Sequence, residues 1–182
     1  VIASRSGRLK KVEARRAAPL ERRHATLANF KVLAAQGELT LAALLDLVRR
    51  DGELNGADLD WHAILDPYGN CGDAAALNDR ARTLLEADLA SARAGKANGS
   101  SFLVDLVNDA RFDIWDAFAS SLLPPAEERA YRTRFETAML AYAAPCPIPT
   151  AERVLALMRA GRLTILEGAG RVTADPAADA FL

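Results

Sequence analysis

His24 and His62 are the only histidines in the chain, and Cys71 and Cys146 the only cysteines. Metal binding, acid–base work or thiol chemistry would have to start from these four and the carboxylates near them. His62 and Asp66 stand four apart and share a face if that segment is helical, with Asp58 and Asp60 close by. This spacing admits a metal or acid–base site, and a small hydrolase or metal enzyme built on His62, Asp66 and Cys71 is one reading. The chain has no HExxH, no cysteine pair at ligand spacing and no second histidine nearby. The expectation is therefore an ordinary helix-end histidine and no metal. Cys71 follows a turn and Cys146 sits between prolines, neither beside a base in sequence. Gly-x-Ser-x-Gly and GxxxxGK[ST] are both missing, which excludes a lipase-type elbow and a phosphate loop of the NTPase kind.

Gly168-Ala169-Gly170 begins like a dinucleotide loop. That loop must open a helix whose N-terminus faces the pyrophosphate. Here residues 171–174 continue as an extended run, so a hairpin turn is the reading. Arg5, Arg8, Lys10, Lys11, Arg15, Arg16, Arg22 and Arg23 form a basic stretch against Glu13 and Glu21. It reads as a solvated connector, with a phosphate or nucleotide contact surface as the functional alternative. The aromatics Trp115, Phe118, Tyr131, Phe135 and Tyr142 recur at helical spacing and are expected in a core.

Helices must position all of this. Thr26 caps a short helix to Ala35, and Thr40 caps the next, with Leu41, Leu44, Leu45 and Val48 inside and Gly52 as its end. Residues 61–65 add one turn. Asp73 caps the longest helix, over 74–94, with Leu77, Ala81, Leu84, Leu85, Leu89 and Ala92 as its stripe and Gly95 as its stop. Ser100 or Ser101 caps a run through Val107, and a separate run follows from Phe112 to Phe118. Pro125 or Ala126 starts another helix, with Tyr131, Phe135, Ala138, Met139 and Tyr142 facing inward. Pro145-Cys146-Pro147-Ile148-Pro149 is an extended linker, and Thr150 caps the last helix, lined by Val154, Leu155, Leu157 and Met158. Residues 163–167 and 171–175 then form a β-hairpin, while Val1-Ile2-Ala3-Ser4 reads as a strand end.

The fold expected is mainly α, a module of about six or seven helices with short β-strands at both ends. Lone strands cannot make a worthwhile sheet, so an interior piece of a longer protein is expected. The division is 1–23, strand end and basic connector; 24–161, helical body; 162–182, returning hairpin. The 182 residues carry 23 basic and 24 acidic side chains, a formal charge of −1. That excludes a global nucleic-acid footprint, and charges interrupt every apolar run before it could span a membrane. A cytoplasmic protein is expected, with self-association left open.

Val1-Ile2-Ala3-Ser4-Arg5-Ser6-Gly7-Arg8-Leu9 resembles the strand after the dinucleotide loop in a large family of FAD/NAD(P)-binding oxidoreductases. A second stretch is similar to the same family. It runs from Phe112-Asp113-Ile114-Trp115, through Tyr131-Arg132-Thr133-Arg134-Phe135 and the proline linker, to Leu155 and Ala160-Gly161-Arg162-Leu163-Thr164-Ile165-Leu166-Glu167-Gly168. Residues 39–47 resemble its helical insert. The matches cover about half the chain, in the family's order. The resemblance implies a parent holding FAD and NAD(P) in a Rossmann-like fold, with this chain as the helical insert that caps the cofactor crevice and shapes a small-molecule site. It implies Ser4 and Arg5 as contacts to the nucleotide ribose or its 2′-phosphate. The family's Gly-rich loop lies before Val1, so no cofactor is expected on this chain alone, and no activity. Many members carry an Arg/His-rich link where this chain has Pro145-Cys146-Pro147. The alternative reading is a non-catalytic helical module that binds another protein through apolar grooves.

Overall fold

Side-chain oxygens start four helices where the sequence places them. Thr26 accepts from the Asn29 amide at 3.4 Å, Thr40 from Ala43 at 3.1 Å, and Asp73 from Ala76 at 2.8 Å, while one Asp60 oxygen accepts from His62 and Ala63. Each satisfies amides that the first turn of a helix leaves without partners. The computed structural model describes residues 9–13, 20–69, 71–95, 99–165, 174–175 and 180–181. The helices are α1 (Leu27–Ala35), α2 (Leu41–Leu54), α3 (Trp61–Leu65), α4 (Ala74–Ala94), α5 (Gly99–Ala119), α6 (Pro125–Ala130), α7 (Thr137–Met139) and α8 (Ile148–Arg159). A π-helical turn, Tyr131–Glu136, joins α6 to α7 without a break. The chain is mainly helical, and the described residues make seven continuous helical runs. None of these helices is long and apolar enough to cross a membrane.

Their apolar faces form two clusters. The first is built on α1, α2, α5 and the α6–α7 run around the fully buried Phe30, Leu44, Val48, Phe102 and Leu103. The second lies between α4 and α8, where Ala81, Leu85 and Leu89 meet Ala151, Leu155 and Met158, and takes in Val12. Truncating Phe30 or Phe102 to Ala should cost about 3–5 kcal/mol, the usual value for a buried phenylalanine.

Several expectations are corrected. Residues 99–119 form one helix instead of two runs, because the polar stretch 108–111 contains neither Gly nor Pro and nothing in it breaks the hydrogen-bond ladder. Gly52 does not end α2, which continues to Leu54 with Asn55 as its cap. A Cβ at Gly52 would stand 3.1 Å from Leu59 Cδ1 and 3.2 Å from the Ala57 carbonyl, so the glycine lets the chain fold back closely. Thr150 lies inside α8, whose N-cap is Pro147. Leu157 and Trp115, expected inside, are exposed.

Of the hairpin expected over 163–167 and 171–175, residues 166–167 and 171–173 lie outside the described residues. Residues 163–165 lie in no strand, and Asn78 occupies the backbone groups of Ile165: its Oδ1 accepts from the Ile165 amide at 2.7 Å and its Nδ2 donates to the Ile165 carbonyl at 2.9 Å. The pair that forms is β1 (Ala174–Asp175) with β2 (Ala180–Phe181), antiparallel, Ala174 opposite Phe181. The turn at 168–170 and the strand expected at residues 1–4 lie outside the described residues.

Asp51 is the one charged residue wholly buried among the described residues. Its Oδ1 accepts from the Arg23 and His24 amides at 2.9 Å each, and its Oδ2 from the Ala25 amide at 2.8 Å. Asn55, one turn later, bonds both the amide and the carbonyl of Glu21. Asp51→Asn turns an acceptor-only group into one that sets two N–H donors against backbone N–H donors. We expect it to lower stability by about 2–4 kcal/mol, as when buried donors lose a charged partner. Urea unfolding of wild type and variant, followed by circular dichroism, measures the loss, and a difference under 1 kcal/mol, the scale of a single neutral hydrogen bond, would contradict this role.

Candidate functional site

Residues 9–13 run between α4 and residues 141–146, a placement that composition did not anticipate for part of the basic stretch. Three backbone bonds hold the segment: Lys11 amide to the Ala141 carbonyl at 3.0 Å, Cys146 amide to Lys11 at 2.6 Å, and Glu13 amide to Cys146 at 2.9 Å. Val12 thereby bridges Cys146 in parallel fashion. The Leu9 amide donates to the Tyr68 hydroxyl at 3.1 Å.

This arrangement carries the Lys11 ammonium to 3.1 Å from an Asp88 carboxylate oxygen, with the two side chains only 13% and 14% exposed. The ammonium also lies 5.6 Å from the centre of the Tyr142 ring. Ala81, Leu84, Leu85 and Pro67 line the surrounding cavity. Burial pushes the Asp88 carboxyl above its ordinary value, against the pull of Lys11 in the other direction. A half-buried Lys–Asp pair with a raised carboxyl in a cleft is the kind of group that holds or moves a proton. The cavity beside it measures about 20 Å³, room for about one water molecule. In this state, then, the pair fastens residues 9–13 to α4 and has no space for an organic substrate.

The rest of the described basic stretch is also engaged. Arg22 meets Asp113 at 2.9 Å, Arg23 pairs with Glu21, and Lys10 donates to the Leu140 carbonyl. Ser4, Arg5, Arg8, Arg15 and Arg16 lie outside the described residues.

The residues around His62 do local structural work. Asp60 caps α3, Asp66 accepts from the Gly69 amide at 3.2 Å, and the Asp66 amide donates to the His62 carbonyl. His62 itself is exposed. Among the described residues no three histidines, cysteines or carboxylates gather into a metal-binding group. The Cys71 thiol donates to the Tyr68 carbonyl at 2.8 Å. Burial, and secondarily Glu13, pushes the Cys146 thiol up, the opposite of what a nucleophilic thiolate needs.

A second irregular place is the π turn. Tyr131 and Phe135 lie on it with ring centres 5.2 Å apart, Phe118 stacks on Tyr131 at 4.1 Å, and Trp61 meets Phe135 at 5.9 Å. The Thr133 hydroxyl donates to the Arg129 carbonyl at 2.8 Å, a bond that Thr83 also makes to Asp79 within the regular helix α4. Burial, and then Glu136, holds the Tyr131 hydroxyl in its neutral form.

Comparison of the chain with protein-family models, with curated proteins and with solved structures finds no match.

Sequence reasoning passed over Asp51 and Asp88, yet a signal exists for both. Asp51 continues the series Leu41, Leu44, Val48 by a further three positions, and Asp88 falls between Leu85 and Ala92 on the stripe of α4. A carboxylate on an apolar stripe must find a partner inside.

The titration of Asp88 tests the pair. Its carboxyl, followed by NMR, should titrate above the ordinary 3.8, and Lys11→Met should raise it further. Because the folded-state value is raised, the contribution of Asp88 to stability is complete at pH below the unfolded value and is lost as pH rises through the folded one. Asp88→Asn should abolish that decline in a series of melting temperatures against pH. A titration at or below the ordinary value would contradict the burial of this group.

Proposed function

We propose that this chain is the helical insert of an FAD- and NAD(P)-dependent oxidoreductase, a cap over the cofactor crevice that shapes the site of a small-molecule substrate. The observation that carries the reading is the convergence of the incoming and outgoing segments. Leu9 and Val12 pack in the same cluster as Leu163 and Ile165, both against the α4–α8 pair. A body inserted between two strands of another fold needs its two connections side by side, while its remaining helices fold independently of them. The order of the segments that resemble the flavoprotein-like family supports the same reading.

The described residues do not themselves fit FAD. The cavity at Lys11 and Asp88 is far too small, and the open groove between α4 and α8 is lined by mid-helix positions whose amides are spent within the helices. Neither offers the free backbone amides that cradle a pyrophosphate. On this reading the flavin is held by the rest of the parent, and the chain supplies shielding and substrate choice, which are the protein's share in cofactor chemistry. Ser4 and Arg5 are assigned to the nucleotide on the resemblance alone.

The deciding experiment is the visible absorption spectrum of the protein made from its whole reading frame. A flavin spectrum that bleaches with NADPH or NADH is the expected result. Arg5→Ala should then raise KM for the reduced nicotinamide cofactor with flavin content unchanged. A colourless protein that takes up no added FAD overturns the reading and leaves a non-catalytic helical interaction module.

A further inference from the structure

Helices α4 and α8 carry the same eight-residue pattern, E-x-x-L-A-x-x-R. In α4 it is Glu86, Leu89, Ala90 and Arg93, and in α8 Glu152, Leu155, Ala156 and Arg159. The helices are antiparallel, because Glu86 meets Arg159 at 2.9 Å while Arg93 meets Glu152. The pair therefore has a local two-fold axis through its centre. Positions three, four and seven apart fall on one helix face, so all eight residues line one groove. Its volume is about 380 Å³. Leu89 and Leu155 form the buried floor, and Ala90 and Ala156 are exposed above it.

The four charges stand at the corners of this face with alternating sign. Glu86 lies across from Arg159 and, along its own helix, a heptad from Arg93; Glu152 occupies the remaining corner. They are 39–61% exposed, and ion pairs so exposed add little to the fold. Their arrangement has a different property. When such a face meets a copy of itself across a two-fold axis lying in its plane, every Glu falls on an Arg. This holds whether the axis runs along the helices or across them. The alanines at the centre let the two helix pairs approach closely, as the helices of a four-helix bundle do.

We propose that the α4–α8 face is a self-association surface, its occupant the same face of a second copy of this chain, with the four corner charges setting specificity. An isologous contact of this kind is the commonest in soluble oligomers, and complementary charge fixes its register and rejects wrong partners. The inference does not rest on the flavin reading.

The test uses the protein from its whole reading frame and a sign-inverted variant carrying Glu86→Arg, Arg93→Glu, Glu152→Arg and Arg159→Glu. Each keeps both intrachain ion pairs and should form dimers in sedimentation equilibrium. Mixed, they should give no mixed dimers by native mass spectrometry, because every corner would then meet its own sign. Ala90→Trp, at an exposed position, should yield a monomer that is folded by circular dichroism and whose melting temperature no longer depends on protein concentration, and it decides the matter alone if the inverted variant does not fold. A monomeric wild type across the micromolar range, free exchange between wild type and the inverted variant, or a dimer that survives Ala90→Trp would each overturn the proposal.

Discussion

The first cluster can close only because the Asp51 carboxylate receives the chain as it turns inward. Residues 23–25 pass from the surface to the fully buried Ala25 immediately before α1 begins. Their three amides point away from any helix or strand, and unpaired amides at that depth would each cost about as much as a lost hydrogen bond. Asp51 satisfies all three with two oxygens. The reciprocal problem, a carboxylate out of water, is solved by the same bonds. Once α1 is anchored in this way, Phe30 is delivered against α5 and the aromatic residues of the first cluster. Asn55 repeats the device on the next turn of α2 by clamping Glu21. One helix thus supplies the hydrogen bonds for a connector that has no regular structure of its own.

The second cluster meets the same requirement with different side chains. Val12 finds one strand-like neighbour at Cys146, and the Lys11–Asp88 pair closes the other side. Ile165 finds no strand and is held by the two-sided amide of Asn78. An asparagine side chain presents an acceptor and a donor as a peptide unit does, so a single residue on α4 substitutes for a strand edge. Ile165, within the first strand of the expected hairpin, thus has both backbone groups engaged by Asn78. Asp51, Asn55, Asn78 and the Lys11–Asp88 pair thus all hold irregular backbone against the helices.

Most of the helical architecture was legible because its signals are local. Thr26, Thr40 and Asp73 cap where their types say they should, Gly95 takes the left-handed conformation at φ 63°, and Pro125 opens α6, while Asp60, read only as a carboxylate near His62, caps α3. The misreadings arose where a local signal had a tertiary use. Gly52 looks like a stop and serves as clearance for Leu59. Thr150 looks like a cap, but the cap is Pro147 and the helix begins three residues earlier, with Pro149 in its first turn. Trp115 and Leu157 have core character and sit on outer faces, since periodicity assigns a face and not what covers it. The π turn has no sequence mark, because Tyr131 and Phe135, four apart, suit an α-helix equally well, and a threonine like Thr133 also sits in regular α4 as Thr83. Of the candidate site, nothing in composition joined Lys11 to Asp88, 77 residues away. The carboxylates on apolar stripes were the readable half of that pair.

The repeated E-x-x-L-A-x-x-R pattern shows how one helix pair can serve two ends. Its inner face is ordinary, with leucine, alanine and methionine closing a core over the connections of the chain. Its outer face carries charges whose intrachain pairing is too exposed to matter much for folding. Fold stability alone would be met by many sign patterns there, including like-signed helices facing opposite ones. Like-signed helices would attract a copy of themselves about an axis along the helices and repel it about one across them; the alternating corners attract about both. Leu89 and Leu155 belong to both sides, closing the core beneath and flooring the groove above, so the charges at the corners are what the outer face adds.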